Sequence, residues 1–471
     1  MIKNHEKIFN GFIVLLMALF FFLSPFTNCN SNTPENETGS DQPETESKSP
    51  FNIYYALNES HSNSWVQLTK EGVIGIVFGV YNQGMGMRNQ KNTGGLIYKT
   101  ILPGESEKEE VVTTGSGVDK CVLLYDSNSH PHIFYASSDD AQQTIYHFYK
   151  KDGSGWMMEI VTNFLNEGGK FIYELSADID KKNALHLLVL KTFSDPDSKD
   201  FFEAHQNSHL FYITNRNGTW ERTLIHQYDT FYAYDMHVKT QRRQDIAVDY
   251  EGYAHVVFGE QHKNDPQGED TKGILYYATN KSSTWSMEIA LESEIPTDDA
   301  GWYPSLCLDK DDRPVVASTY VARVQTRSVR YAQLCYSIRL DKGQWKTTIV
   351  VDKDDGYHGT DGRNYTGALP HLVFDLNNIP HIVFSDIASS HNPQNVLSTG
   401  QIRYAVFNGS SWNISTIYPQ SSPKSFYQGR EIAGQCLVIS GNGKRIYVVG
   451  QELVSTNENN YNYNLVHFNI K

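Results

Sequence analysis

One unit recurs along this chain, and it limits the fold more than any other feature: a short apolar strand, a turn of the form Asp-x-x-Gly or Asp-x-x-Asn, then a second apolar strand. Ile246 to Phe258, Leu306 to Ala317 and Leu372 to Phe384 are the clearest copies, and weaker ones begin at Gln67, Leu123, Ala177 and Val438. Aligned on the turn, Thr69, Asp126, Asp180, Asp249, Asp309, Asp375 and Ser440 fall in register at intervals of 57, 54, 69, 60, 66 and 65 residues.

A second hairpin follows most copies, with Tyr in its first strand and a Trp shortly after its turn. Trp156, Trp220, Trp285, Trp345 and Trp412 hold that place. Apolar alternation with period two, bounded by Gly, Asn, Asp and Ser, is strand and hairpin chemistry. Two hairpins per copy give a four-stranded antiparallel blade, so the expected fold is all-β: a seven-bladed β-propeller over residues 51–471. The last copy is followed by one further strand, Asn464 to Ile470, and Phe51 to Leu57 is a strand the first copy does not need. The expectation is that this N-terminal strand completes the last blade and closes the ring, leaving no free edge.

The unit resembles the BNR-type repeats of secreted bacterial, sialidase-like propellers, over nearly all of residues 51–471. A complete Asp-box, Ser-x-Asp-x-Gly-x-x-Trp, is absent; Lys151 to Trp156 comes nearest, with different spacing. The Arg-Ile-Pro sequence of sialidases is also absent.

Ahead of the repeats, Lys3 and Lys7 precede an apolar run from Phe12 to Leu23 that ends at Ser24 and Pro25. The run is shorter than the roughly 20 residues a membrane-crossing helix needs, so it reads as a signal peptide. Cys29 just after it resembles a bacterial lipoprotein processing site, with Asn28 and Phe26 in the flanking positions as in the permissive spirochaetal form. Residues 1–29 are thus expected to be a signal peptide with lipidation at Cys29, the alternative being ordinary cleavage near residue 30. Residues 30–50 carry hardly any apolar side chain and are expected to be a disordered tether. The expected location is the bacterial outer membrane or cell surface, otherwise the periplasm or the medium, with membrane contact only through the lipid.

Cys121, Cys307, Cys335 and Cys436 match no zinc spacing and read as single thiols, with one disulfide left open. No cofactor motif is present and none is expected. A net charge of −14 without a basic cluster argues against nucleic acid as a partner. A monomer with a glycan or protein ligand is the expectation.

His132, His186, His255 and His381 suggest a metal site, yet each lies six residues after its turn acid in a different repeat. Equivalent positions spread around a ring, so these read as structural, as do the repeated Trp and turn Asp residues. Function belongs where the repeats differ. The connections between second and third strands, and between blades, share one face; they are long and irregular, as in Asn82 to Gly94, Gln227 to Gln244, Lys353 to Gly367 and Gln420 to Gly434. The candidate ligand-binding residues there are Tyr173, Glu174, His237, Arg242, Arg243, Trp302, Tyr303, His358, Arg363, Tyr365, Arg430 and Glu431. Aromatic faces stack on sugar rings and Arg forks pair with carboxylates or sulfates, which suits an acidic glycan.

The expected function is a binding module for a glycan or protein ligand on the long-loop face. The alternative is a polysaccharide lyase or glycoside hydrolase. Resemblance to propeller lyases would give His237 and Tyr365 acid and base roles, with Arg243 neutralising a uronate. Their Asp-Asp-His-x-x-Pro motif is only echoed, by Asp298 to Pro304 without the His. A purely structural scaffold is the third reading.

Overall fold

The computed structural model describes residues 51–53, 65–81, 94–101, 108–115, 118–137, 143–164, 167, 171–193, 207–228, 244–263, 271–282, 284–295, 298–324, 329–352, 363–389, 397–418, 424–427, 436–439, 446–457 and 460–470. All lie in one compact unit, Lys48–Lys471; the signal segment, Cys29 and the tether lie outside the described residues.

The described residues form β-strands throughout. The first is β1 (Phe51–Ile53), followed by β2 (Trp65–Leu68), β3 (Ile74–Tyr81), β4 (Gly94–Ile101) and β5 (Lys108–Gly115). Next come β6 (Val118–Tyr125), β7 (Pro131–Ser137), β8 (Thr144–Tyr149) and β9 (Met157–Asn163), then β10 (Phe171–Ile179), β11 (Leu185–Phe193), β12 (Asn207–Thr214) and β13 (Glu221–Tyr228). The chain continues with β14 (Gln244–Val248), β15 (Ala254–Lys263), β16 (Thr271–Thr279), β17 (Ser286–Glu292), β18 (Asp299–Leu308), β19 (Pro314–Val324), β20 (Val329–Asp341) and β21 (Gln344–Val351). It ends with β22 (Arg363–Phe374), β23 (Pro380–Ser389), β24 (Leu397–Phe407), β25 (Trp412–Tyr418), β26 (Lys424–Tyr427), β27 (Cys436–Ile439), β28 (Ile446–Asn457) and β29 (Asn460–Ile470).

The fold is an all-β propeller, but the expectation of seven blades is corrected. Four four-stranded sheets stand as separate blades: β2–β5, β6–β9, β10–β13, and one ordered β1-β29-β28-β27. The strands from β14 to β26 instead join one 13-stranded sheet. The cause is local. The start of β18 pairs in parallel with β16 (Gly273↔Asp299), and the start of β22 pairs in parallel with β20 (Tyr331↔Asn364, Ala332↔Tyr365). Glycines permit this approach: a Cβ on Gly273 would stand 2.8 Å from the Ala300 carbonyl oxygen.

The first strands of successive repeats touch in a closed circuit, β2, β6, β10, β14, β18, β22, β27 and back to β2. Their outward N–H groups would be unpaired sheet edges, and side chains from the preceding inner strand accept some of them. Asp178 accepts from Val248 N (2.7 Å), Asp245 from Leu306 N (2.9 Å), and Ser305 Oγ from Leu372 N (3.0 Å). Inner strands are accordingly buried along most of their length, as in β14, whereas outer strands such as β17 alternate half-buried and exposed residues around one buried position. The core fills the gaps between neighbouring sheets; Phe134, Ile145, Leu187 and Ile213, for example, come from two of them.

The repeated residues act as packing and turn groups. Asp126 Oδ1 accepts from the amides of Asn128 and His130, both at 2.8 Å, and Asp180, Asp249, Asp309 and Asp375 accept likewise two and four places on. The third residue after each acid has positive φ (Ser129, Asn183, Gly252, Asp312, Asn378), hence the preference for Gly or Asn. His186 Nδ1 lies 2.6 Å from the Tyr212 hydroxyl and His255 Nδ1 2.5 Å from that of Tyr277; His381 pairs with Tyr404 in the same way. Burial drives His132 and His186 down to about 4. Tyr212, Tyr277 and Tyr336 each meet the following repeat's Trp edge-on, at centroid distances of 5.2, 5.4 and 5.2 Å.

Cys307 and Cys335 are free thiols. The Cys436 side chain is outside the described residues.

Candidate functional site on the loop-bearing face

Equivalent positions become chemically different at the end of each second strand. Eleven residues past the turn acid stand Lys191, Glu260, Tyr320 and Asp386. Continuous ladders to the third strands fix the equivalence, through Lys191↔His209, Glu260↔Ile274, Tyr320↔Gln333 and Asp386↔Gln401. The second strand lies in the middle of its blade with both faces covered, so a polar group there needs a partner. Lys191, Glu260 and Asp386 are 0%, 4% and 1% exposed.

Each has a different partner. Lys191 donates to Gln143 Oε1, and burial lowers its amine to about 8. Glu260 lies 3.0 Å from His226 Nε2. The Tyr320 hydroxyl donates to Asp298 Oδ2 (2.8 Å) and is 2.5 Å from Ser293 Oγ; burial raises it to about 12. Asp386 accepts from Thr366 Oγ1 (2.9 Å) and from Arg403 Nη1 (3.2 Å).

Two of these groups stand next to matching bends that one side-chain bond ties together. Asp298 and Tyr320 flank the start of β18, where Gly301 (φ 78°) and Tyr303 (φ 52°) bend the chain through left-handed backbone. Gly367 (φ 78°) and Leu369 (φ 52°) repeat the same bend at the start of β22, and each pair precedes a proline, Pro304 or Pro370. Thr319, opposite Trp302 in the ladder and adjacent to Tyr320, donates through Oγ1 to the Gly367 carbonyl at 2.5 Å. Thr366, next to Gly367, donates to Asp386, which also accepts from Arg403. Tyr303, Ala368 and Leu369 form a small apolar floor against which the half-buried Trp302 packs. Trp302 thus sits on the bend, opposite Thr319 in the ladder, while the carboxylates, hydroxyls and guanidinium are held on the flanking strands; an indole can stack on a ring and such groups can hydrogen-bond its substituents.

Of the residues singled out from sequence, Trp302 and Tyr303 belong to the first of these bends. Arg363 and Tyr365 lie in the opening turns of β22, paired with Ser389 and Ile387. Glu174 is buried at 6% exposure, and Tyr173 is the residue bypassed by the register shift beside it. His237, Arg242, Arg243, His358, Arg430 and Glu431 lie outside the described residues. The sequence reading missed Lys191, Glu260, Tyr320, Asp386, Thr366 and Arg403, because it searched loops and these stand in strands. The available signal was a position, constant in register, where apolar strands carry four different polar residues.

No family model matches the chain, and no curated protein matches it. Among solved structures, the chain is similar to a protein of unknown function from Dyadobacter fermentans, with 13% identity, 89% of this chain and 98% of that one covered, and a TM-score of 0.44. It is also similar to the α-L-arabinofuranosidase Arb93A of Fusarium graminearum (9% identity, 88% and 96% covered, TM-score 0.43). A third is the NanB sialidase of Streptococcus pneumoniae (11% identity, 90% and 70% covered, TM-score 0.40). None of these likenesses is close enough to carry an assignment.

Proposed function

We propose that this chain is an exported, lipid-anchored propeller that binds an acidic glycan on its loop-bearing face, at the starts of β18 and β22. The observation that carries the reading is the pair of matching bends at the starts of β18 and β22, tied by Thr319 to the Gly367 carbonyl, with Trp302 packed on Tyr303, Ala368 and Leu369 and the bonded groups Ser293–Tyr320–Asp298 and Thr366–Asp386–Arg403 on the strands that flank them. Buried polar groups cost stability unless satisfied, and here they are kept on the strands flanking the Trp302 bend rather than being replaced by apolar side chains. Tyr303 and Leu369 also hold left-handed backbone that bulky side chains disfavour, a strain that gathers where structure serves a ligand. A sugar ring on Trp302 would meet these groups through its hydroxyls, and a uronate or sulfate would add charge for an arginine to meet.

Calorimetric titration of the chain with a panel of uronate-containing, sulfated and neutral oligosaccharides tests this, with reducing-end and unsaturated-sugar assays run alongside. Saturable binding without product formation is expected. Release of new sugar ends at this site would replace the binding reading with the hydrolase or lyase one.

A further inference from the structure

A second polar cluster stands apart from the Trp302 bend, at the junction of the β6–β9 and β10–β13 sheets. Phe164 lies at its centre, 1% exposed. The Lys191 amine is 5.4 Å from the Phe164 ring centroid and the Arg222 guanidinium 4.7 Å from it, so two cations share one aromatic ring. Arg222 also lies 5.0 Å from the Phe211 ring, and His209 packs edge-on against that ring at 5.8 Å. Glu167 pairs with Arg222, and its charge also acts on Lys191 and His209. The Arg222 and Glu167 side chains keep 28% and 37% of their surface, whereas Lys191 is covered. Two cations thus share the Phe164 ring and an imidazole packs on the neighbouring Phe211, with a partly exposed carboxylate, Glu167, paired to the outer cation, Arg222.

We propose that this junction is an oxyanion-binding subsite, for the carboxylate or sulfate group of an acidic glycan, in which the Glu167 carboxylate is the resident stand-in that a ligand displaces. The proposal rests on the glycan-binding reading above and names the charge its ligand carries. A fully buried amine is costly to keep as a mere clamp, since an apolar side chain of similar volume would pack the same gap. The Glu167 carboxylate on this exposed edge can be exchanged for a ligand oxyanion without leaving Arg222 unpaired, while Lys191 keeps its bond to Gln143.

Sodium sulfate, glucuronic acid and methyl glucoside are titrated calorimetrically against the full chain, Glu167→Gln and Glu167→Ala. Removing the resident carboxylate is expected to tighten sulfate and glucuronate binding at least fivefold and leave methyl glucoside unchanged. Adding Arg222→Gln to either variant is expected to reverse the gain. Unchanged or weaker anion binding in both folded Glu167 variants overturns the subsite, leaving a structural clamp. If methyl glucoside and the oligosaccharide panel fail to bind while sulfate still responds to Glu167, the glycan reading falls and the oxyanion subsite stands.

Discussion

His186 shows how one repeated side chain fixes a pH dependence. It is fully buried between Tyr212 and Asp180, and burial lowers it to about 4 from an ordinary 6.5. The unfolded chain then binds a proton between pH 6.5 and 4 that the native state does not, so stability falls as pH falls through that window, by about 3 kcal/mol for a shift of this size. Urea midpoints measured against pH are expected to drop less steeply in His186→Gln than in the parent; parallel profiles would show that the histidine does not titrate. Asp178 has the opposite sign. Burial, with the nearby Asp245 and Asp180 carboxylates, raises it to about 7, so the native state holds the extra proton and stability falls as pH rises from about 4 to 7. Asp178→Asn is expected to remove that decline, and an unchanged slope would contradict the assignment. The histidines and turn acids were legible as structural from register alone, because a position repeated around a ring cannot converge. Asp178 and Lys191 were not, since their state depends on which strand lies across from them.

At the scale of elements, the hairpins, their turns and the paired tyrosines and tryptophans follow from the period-two pattern and the Asp-x-x-Gly turn. The fusion of β14–β26 into one sheet does not, because it depends on glycines where two backbones meet. A Cβ on Gly301 would stand 2.6 Å from Leu275 Cβ and 2.9 Å from its Cα, at φ 78°. Gly301→Ala is therefore expected to cost about 2–4 kcal/mol, from left-handed strain together with overpacking. Gly409 has φ 96° and open space around it, so Gly409→Ala should cost only about 1 kcal/mol. Equal losses in thermal or urea unfolding would mean that the close approach at Leu275 is not what holds the bend. Pro304 entered the sequence reading only as the end of the Asp298 to Pro304 echo, and its counterpart Pro370 only becomes visible once the two bends are compared.

Across the whole molecule, the circuit of inner strands and the side-chain locks between them hold together the strands that lead to the loop-bearing face. Aligning the repeats pointed to that face; it could not say which part of it carries the site, because Thr319 reaches Gly367 only once the strands are assembled. The central claim is that Trp302, on this face, is the stacking platform for a glycan. Its most direct measurement is calorimetric affinity for the tightest-binding oligosaccharide of the panel, compared among the parent, Trp302→Ala and Tyr250→Ala. Tyr250 is 69% exposed in a first-hairpin turn, on the opposite face. A loss of tenfold or more for Trp302→Ala, with Tyr250→Ala unchanged, is the expected result; unchanged affinity for Trp302→Ala, or an equal loss for Tyr250→Ala, would contradict it.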